Sequence, residues 1–389
     1  MARRVCTFAV AHTDLAAQPF NNAARTVRVL VPNNLPGSAV YVKFSNYYGD
    51  RPVWVGNATI ALADEAGNLL PGTVRPLTVY GDTSFALVPQ RDVFSDRVPL
   101  PVLPGQTLAV SLYYPLADKV VSGNFVGTFA ARSVKGDYCA EGQLPKARLL
   151  STLSRSVLPW DVTSAVTTLS AVLVEQEDTA PRPRVVAAFG DSIMQQGAWV
   201  TPFTRRLYEA YPGAASVCNL GIGGNRLLHD SPAFFKGMYG HAGTRRFAWD
   251  LAPVEGLTHA LLCLGTNDLG LPGRDGAPEE ELITLPDYQA GVSVLVEQLR
   301  RSGVKVYAGL LLPRAVNKAF PSEREDLRLA INEWLTGCGL FDAVLDLGAP
   351  IAAEEGPGMK KEYALPDGLH PNKAGGLAIA EAIDLGLFA

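Results

Sequence analysis

Residues 184–193 read RVVAAFGDSI. Five consecutive apolar residues, 185–189, have the length and unbroken hydrophobicity of a strand covered on both faces, as in a parallel sheet. Glycine, aspartate and serine then stand where such a strand hands over to a helix. In open α/β sheets the ligand crevice lies beyond the carboxyl ends of the strands, so a hydroxyl on Ser192 faces the place where a reacting carbonyl approaches. The same residues also suit a plain helix cap, with Asp191 or Ser192 bonding the next backbone N–H groups. The stretch points to a fold class and leaves two readings of its chemistry level.

Downstream the pattern repeats. Apolar runs at 215–220, 260–264, 304–312 and 343–347 predict further buried strands, and the periodicity at 200–211, 287–302, 322–335 and 372–387 predicts helices between and after them. Alternation of this kind predicts an α/β, doubly wound parallel sheet. Upstream the texture changes to short runs rich in Val, Thr, Tyr and Phe, at 26–31, 39–44, 108–113 and 124–130. They are separated by turn chemistry at Pro32-Asn33-Asn34, Gly81-Asp82 and Pro104-Gly105. Many short strands without helical periodicity predict an all-β sandwich or jelly roll. Pro181 and Pro183 deny residues 178–184 both helix and ladder bonding, so this segment reads as a linker. The expected units are 1–178, a β-rich accessory domain, and 184–389, the α/β domain.

The totals agree with two cores. The chain has 389 residues, 48% hydrophobic and 19% charged, which exceeds the usual reach of one core and is far from a disordered composition. A net charge of −4 gives no electrostatic reason to bind nucleic acid or an anionic membrane and is compatible with a small neutral ligand. His12 and Asp14 interrupt the apolar run after Arg3 and Arg4 below signal-peptide length, and no stretch reaches membrane-span length. The expectation is a soluble, cytoplasmic protein, or a secreted one whose leader has been removed. Cys6, Cys139, Cys218, Cys263 and Cys338 are scattered and odd in number, so buried free thiols are expected rather than disulfides or a zinc site.

Three further clusters follow strand ends or precede a helix. Asn219-Leu220-Gly221-Ile222-Gly223-Gly224-Asn225-Arg226 ends the second strand; its glycines let backbone N–H groups approach a developing oxyanion. A dinucleotide loop would need glycine where Arg226 stands. Gly265-Thr266-Asn267-Asp268 offers in Asn267 a neutral amide donor for an oxyanion, or simply a turn. Asp367-Gly368-Leu369-His370-Pro371-Asn372 places a carboxylate three residues ahead of a histidine, close enough to fix its tautomer and stabilise its imidazolium; a capping aspartate near a surface histidine is the ordinary alternative. Pro371 suits the first turn of the next helix. The G-x-S-x-G elbow is excluded by Met194. The four clusters in this order favour catalysis over four independent turns.

With these residues in place the sequence resembles the SGNH/GDSL hydrolase superfamily, whose four blocks match Gly190-Asp191-Ser192, Asn219 through Gly224, Gly265-Thr266-Asn267-Asp268 and Asp367-x-x-His370. Ile193 replaces the family's leucine. The resemblance implies the flavodoxin-like SGNH fold, with Ser192 as nucleophile, His370 oriented by Asp367 as general base, and the Ser192 and Gly224 N–H groups with the Asn267 side chain as oxyanion hole. No metal or organic cofactor is implied. Segments 40–46, Tyr48-Gly49, 71–73 and 108–114 resemble the β-rich region of two-domain bacterial members.

Substrate is read more loosely. The aromatic and glycine-rich insertion 229–241 suits a pocket wall, so Phe234, Phe235 and Tyr239, with Asp191, Asn225 and Arg226, are candidate substrate contacts. Arg226, Arg245 and Arg246 either anchor a polar leaving group or pair with Asp230 and Asp250. A β-rich domain and no apolar lid favour a small-molecule or oligosaccharide ester, an acetylated sugar ahead of a lipid. A lysophospholipase or arylesterase, and a non-catalytic carbohydrate-binding protein, are the rivals.

Overall fold

The computed structural model describes residues 2–17, 20–116, 119–125, 130–145, 162–163 and 165–389. From Arg184 onward five parallel strands form one sheet: β1 (Arg184–Gly190), β2 (Ala215–Asn219), β3 (His259–Cys263), β4 (Lys305–Gly309) and β5 (Ala343–Leu345), in the spatial order β2-β1-β3-β4-β5. The order reverses beside β1, which pairs with β2 on one side and β3 on the other. At this switch point the loops after β1 and β2 separate and leave a crevice.

The helices are α1 (Ser192–Gln195), α2 (Val200–Ala210), α3 (Gly243–Leu251), α4 (Thr266–Gly270), α5 (Leu285–Arg301), α6 (Ser322–Gly337) and α7 (Lys373–Ala382). Because side chains alternate along a strand, β1 feeds two cores. Val186 and Ala188 pack with Val200, Phe203 and Leu207 of α2 and Ile379 of α7. Val185, Ala187 and Phe189 belong to the cluster of Phe247 in α3, Val292 and Leu295 in α5 and Ile331 in α6. The sheet is thus covered on both faces.

The N-terminal half is strand-rich and antiparallel. A four-stranded sheet runs Ala2–Ala9, Leu169–Glu177, Val40–Ser45, Asp92–Phe94, and a six-stranded sheet is centred on Arg25–Pro32, Thr107–Tyr114 and Asn57–Ala63. Of the run 124–130, residues 126–129 lie outside the described residues; strand Ser122–Phe125 precedes them and Ala130–Lys135 follows. The two halves share apolar surface. Strand Ala2–Ala9 lies against β2, where Ser216 Oγ donates to the Cys6 carbonyl at 2.7 Å and Val10 bridges Asn219. Val5, Cys6, Ala187 and Cys218 belong to one buried cluster. Residues 178–184 do not swing free, since Arg3 donates to the carbonyls of Asp178, Ala180 and Pro181. All five cysteines are free thiols. Among the described residues no helix is long and apolar enough to cross a membrane.

Several boundaries differ from the sequence expectation for identifiable reasons. The run 304–312 is strand only over Lys305–Gly309, because the Leu311 N–H is taken by the Asn332 side chain. The run 343–347 stops at Leu345, where the Asp346 side chain accepts from the Gly348 and Ala349 N–H groups and turns the chain. The last helix ends at Ala382 rather than 387: Ile383 is extended, Asp384 caps a short 3-10 turn, and Phe388 is buried against Phe203, His259 and Tyr307. Helix α3 was not expected. Its buried face carries Arg246 and Asp250 beside Phe247, so hydrophobic periodicity does not mark it.

His259, on β3, is buried with Nε2 unpartnered, its Nδ1 2.8 Å from Thr258 Oγ1 and its ring near Tyr307 and Phe388. Burial, with Lys305 and Arg184 nearby, lowers its pKa from 6.5 to about 4. The unfolded chain therefore takes up a proton that the native ring refuses, and this residue costs stability as pH falls through that window. His259→Phe should gain stability relative to the parent as pH is lowered from 6.5 to about 4; urea unfolding at both ends of the window checks this, and a pH-independent difference would contradict it.

Candidate active site

All four sequence clusters lie at or beside the carboxyl edge of the sheet. After β1, Asp191 caps α1, its Oδ1 accepting the Ile193 N–H at 3.0 Å, and Ser192 is the first helical residue. The capping role belongs to Asp191, which leaves the Ser192 hydroxyl available. After β2, the Asn219 side chain accepts from the Gly221 N–H at 3.0 Å and donates to the Met194 carbonyl at 2.8 Å, which joins the glycine loop to α1. A Cβ at Gly221 would lie 2.5 Å from the Gln195 nitrogen and 2.8 Å from the Asp191 oxygen, so only glycine permits this approach. Gly224 is left-handed at φ 73°, and the Tyr239 ring lies where its Cβ would be.

Ser192 Oγ is 2.7 Å from His370 Nε2, and His370 Nδ1 is 2.7 Å from Asp367 Oδ2. A carboxylate only accepts, so Nδ1 carries the proton and the Nε2 lone pair faces the serine hydroxyl. Asp367 Oδ1 also accepts the Leu369 and His370 N–H groups, at 2.9 and 3.0 Å. Partial burial opposes its charge, yet the His370 and Leu369 hydrogen bonds outweigh this and hold its carboxyl below the usual value. The rigid support of this loop is not Pro371, which lies outside the helix. Asn372 is the cap of α7, its side chain accepting from Ala374 and Gly375.

The three N–H groups expected from the sequence to meet an oxyanion come from separate loops. Among the described residues neither the Ser192 nor the Gly224 backbone N–H has a protein acceptor. Asn267, buried at the start of α4, gives one amide N–H to the Asn225 carbonyl at 3.0 Å and keeps the other. Beneath it Asp268 is fully buried and accepts from the Leu227 and Leu228 N–H groups. Among the described residues no group of three or more His, Cys, Asp or Glu side chains is arranged to hold a metal ion.

Three expected substrate contacts are corrected. Asp191 is 2% exposed, Asn225 1% and Arg226 2%. Asn225 donates its amide N–H groups to the Tyr239 and His241 carbonyls, and its side-chain oxygen accepts from Arg246 Nε. Arg226 pairs with Glu281 at 2.5 Å and donates to the Asp230 carbonyl. Arg245 pairs with Asp230 and Arg246 with Asp250. These groups shape the loops from below. Burial raises the pKa of Asp191 to about 7 and of Asp250 to about 6. Phe234, Phe235 and Tyr239 differ from them: Phe235 stacks on Tyr239 with centroids 3.9 Å apart beside Gly224, and Phe234 is 71% exposed.

The sequence reading missed a contribution from the N-terminal half. Asn124 is fully buried; its amide donates to the Gly221 carbonyl at 2.9 Å and its oxygen accepts from Gln195 Nε2 at 2.6 Å. Thr13 Oγ1 lies within hydrogen-bond distance of the Gly237 and Met238 carbonyls of the aromatic insertion. No local signal marks either residue, since their partners lie 71 and 97 positions away for Asn124 and more than 200 for Thr13.

Residues 188–376 match the GDSL-like lipase/acylhydrolase family. Among solved structures the chain is similar to a GDSL-like lipase from Bacteroides thetaiotaomicron, with 16% identity over 54% of this chain and 91% of that one and a TM-score of 0.38. It is similar to a carbohydrate acetylesterase family member from Sinorhizobium meliloti, with 17% identity over 51% and 94% and a TM-score of 0.39. It is also similar to an acetyl xylan esterase from Geobacillus stearothermophilus, with 16% identity over 51% and 92% and a TM-score of 0.38. No curated protein matches it.

Asn124→Ala leaves the buried Gly221 carbonyl and the half-buried Gln195 amide without their partner. It should cost about 1–3 kcal/mol, read as a lowered urea midpoint, and an unchanged midpoint would remove Asn124 from this role.

Proposed function

We propose that the chain, whose residues 188–376 match the GDSL-like lipase/acylhydrolase family, is a serine esterase that cleaves short-chain carboxylic esters, acetyl groups on carbohydrates first among them. The reading rests on one observation: the hydroxyl of Ser192, the ring of His370 and the carboxylate of Asp367 form a chain of two 2.7 Å contacts. Such a chain makes a weak nucleophile competent at neutral pH.

In the proposed reaction Ser192 Oγ attacks the ester carbonyl carbon while Nε2 of His370 takes the hydroxyl proton. The new oxyanion meets the N–H groups of Ser192 and Gly224 and the free amide N–H of Asn267. The tetrahedral intermediate collapses, the C–O bond to the alcohol breaks, and His370 returns the proton to the leaving oxygen. Water, deprotonated by the same nitrogen, then attacks the acyl-serine, and the acid leaves as Ser192 recovers its proton. Asp367 holds the tautomer throughout and stabilises the imidazolium.

The carbohydrate preference is supported by the flat aromatic stack of Phe235 and Tyr239 beside Gly224, a surface on which the C–H face of a sugar ring packs. We take 1–178 as a sandwich-type β unit and 184–389 as the flavodoxin-like hydrolase unit. They act as one body, since Asn124 and Thr13 hold the loops on which the donors and the aromatic stack lie.

Ser192→Ala should abolish p-nitrophenyl acetate turnover while leaving the unfolding midpoint in place; undiminished turnover would end the assignment. Asn267→Ala should lower kcat by about 10²–10³. Acetyl esters should be cleaved in preference to octanoyl esters, and the reverse order would favour a lipid or aryl substrate.

A further inference from the structure

A second polar feature lies on the same edge of the sheet and is used by none of the steps above. Arg314 follows β4 in the loop that leads to α6. Its guanidinium is half-buried, laid over the Phe320 ring at 4.3 Å and against the end of α4, where a Cβ on Gly270 would come within 2.4 Å of Nη1. Gly270 is three residues beyond Asn267, so the cation flanks the helix that carries the proposed oxyanion donor. Among the described residues Arg314 has no hydrogen-bond acceptor and no ion-pair partner.

Its neighbours sharpen the point. Arg324, on α6, is engaged by Glu279 at 2.7 Å and by the carbonyls of Leu269 and Pro272. Arg274, in the loop after α4, is exposed and also unpaired among the described residues. Asp367 already serves His370, and Asp275 lies beyond ion-pair distance of both free guanidinium groups. Burial first, then the positive charges of Arg274 and Arg324, depress the Arg314 pKa to about 10, while Asp367 opposes them. Arg274 also acts on the Tyr239 phenol. Arg314 thus sits against the end of α4, and Arg274 is two residues from Gly276, which packs on Phe234 of the aromatic insertion. A partly dehydrated guanidinium next to another cation is costly to leave without an anion.

We propose that Arg314, assisted by Arg274, forms an anion subsite at the end of α4, the helix that carries Asn267, and that it binds a carboxylate carried by the alcohol portion of the substrate, as on an acidic sugar. The proposal deepens the esterase reading and rests on it. The planar fork of arginine matches the two oxygens of a carboxylate, and phosphate monoesters share that chemistry.

The test compares three acetyl esters of equal size: meta-acetoxybenzoate, its neutral amide meta-acetoxybenzamide, and meta-acetoxyphenyl phosphate, with acetate release as the readout. The benzoate should exceed the amide in kcat/KM by about tenfold, mainly through KM, as expected for one well-placed charge contact. The ratio should shrink at high salt, fall towards unity in Arg314→Gln, fall less in the exposed Arg274→Gln, and recover in part in Arg314→Lys. Equal rates on benzoate and amide overturn the subsite. So does an Arg314→Gln variant that loses both activities equally, which is the signature of a support for Asp367. Preference confined to the phosphate overturns the carboxylate assignment. No turnover of any ester, with Ser192 unlabelled by a fluorophosphonate, removes the esterase reading and the subsite together.

Discussion

The guanidinium of Arg246, 3% exposed under the carboxyl edge of the sheet, donates to the carbonyls of Gly190 and Leu220, to the Asn225 side chain and to Asp250, and lies 3.9 Å from the centroid of Phe189. Gly190 ends β1 and Leu220 follows β2, so one side chain fixes the spacing of the two loops across the switch point. Burial depresses its pKa, and the Asp250 contact works to keep it charged. A buried pair of this kind adds little net stability, but removing one partner leaves an unsolvated charge. Its contribution is to geometry: Asn225, held by Arg246, accepts one N–H of the Asn267 amide on its backbone carbonyl and so orients that side chain.

Around that node the polar residues form a support beneath the loops of the candidate site. Asp191, Asp250 and Asp268 all have carboxyls raised above their usual range, with burial the leading cause in each. Each is satisfied by backbone N–H groups or by Arg246. The surface group Asp367 shows the opposite direction because the hydrogen bonds of its own loop dominate. The contrast separates carboxylates that hold loops together from the one whose charge faces an imidazole.

The N-terminal sheets take part in this construction. Strand Ala2–Ala9 shares a buried cluster with β1 and β2, Asn124 links the glycine loop to Gln195, and Thr13 anchors the insertion that carries Phe235 and Tyr239. Tyr47 lies against Trp249 of α3 with centroids 4.2 Å apart. The strand-rich half therefore forms part of the wall behind the crevice.

What the sequence determined by itself is whatever depends on near neighbours. Unbroken apolar runs marked the parallel strands; the candidates Ser192 and Asn267 stood out at the ends of two of them, and Asp367 and His370 by their spacing just before the last helix. Even here the final helix was read too long and α3 was missed, because a buried Arg246 and Asp250 imitate a solvent face. The tertiary structure decided which polar groups reach the surface and which do not: Ser192 meets a histidine 178 positions away, while Asp191, Asn225 and Arg226 turn inward. Hydrogen-bond partners distant in the chain are chosen by packing and desolvation in three dimensions, and no local period of 2 or 3.6 residues encodes them.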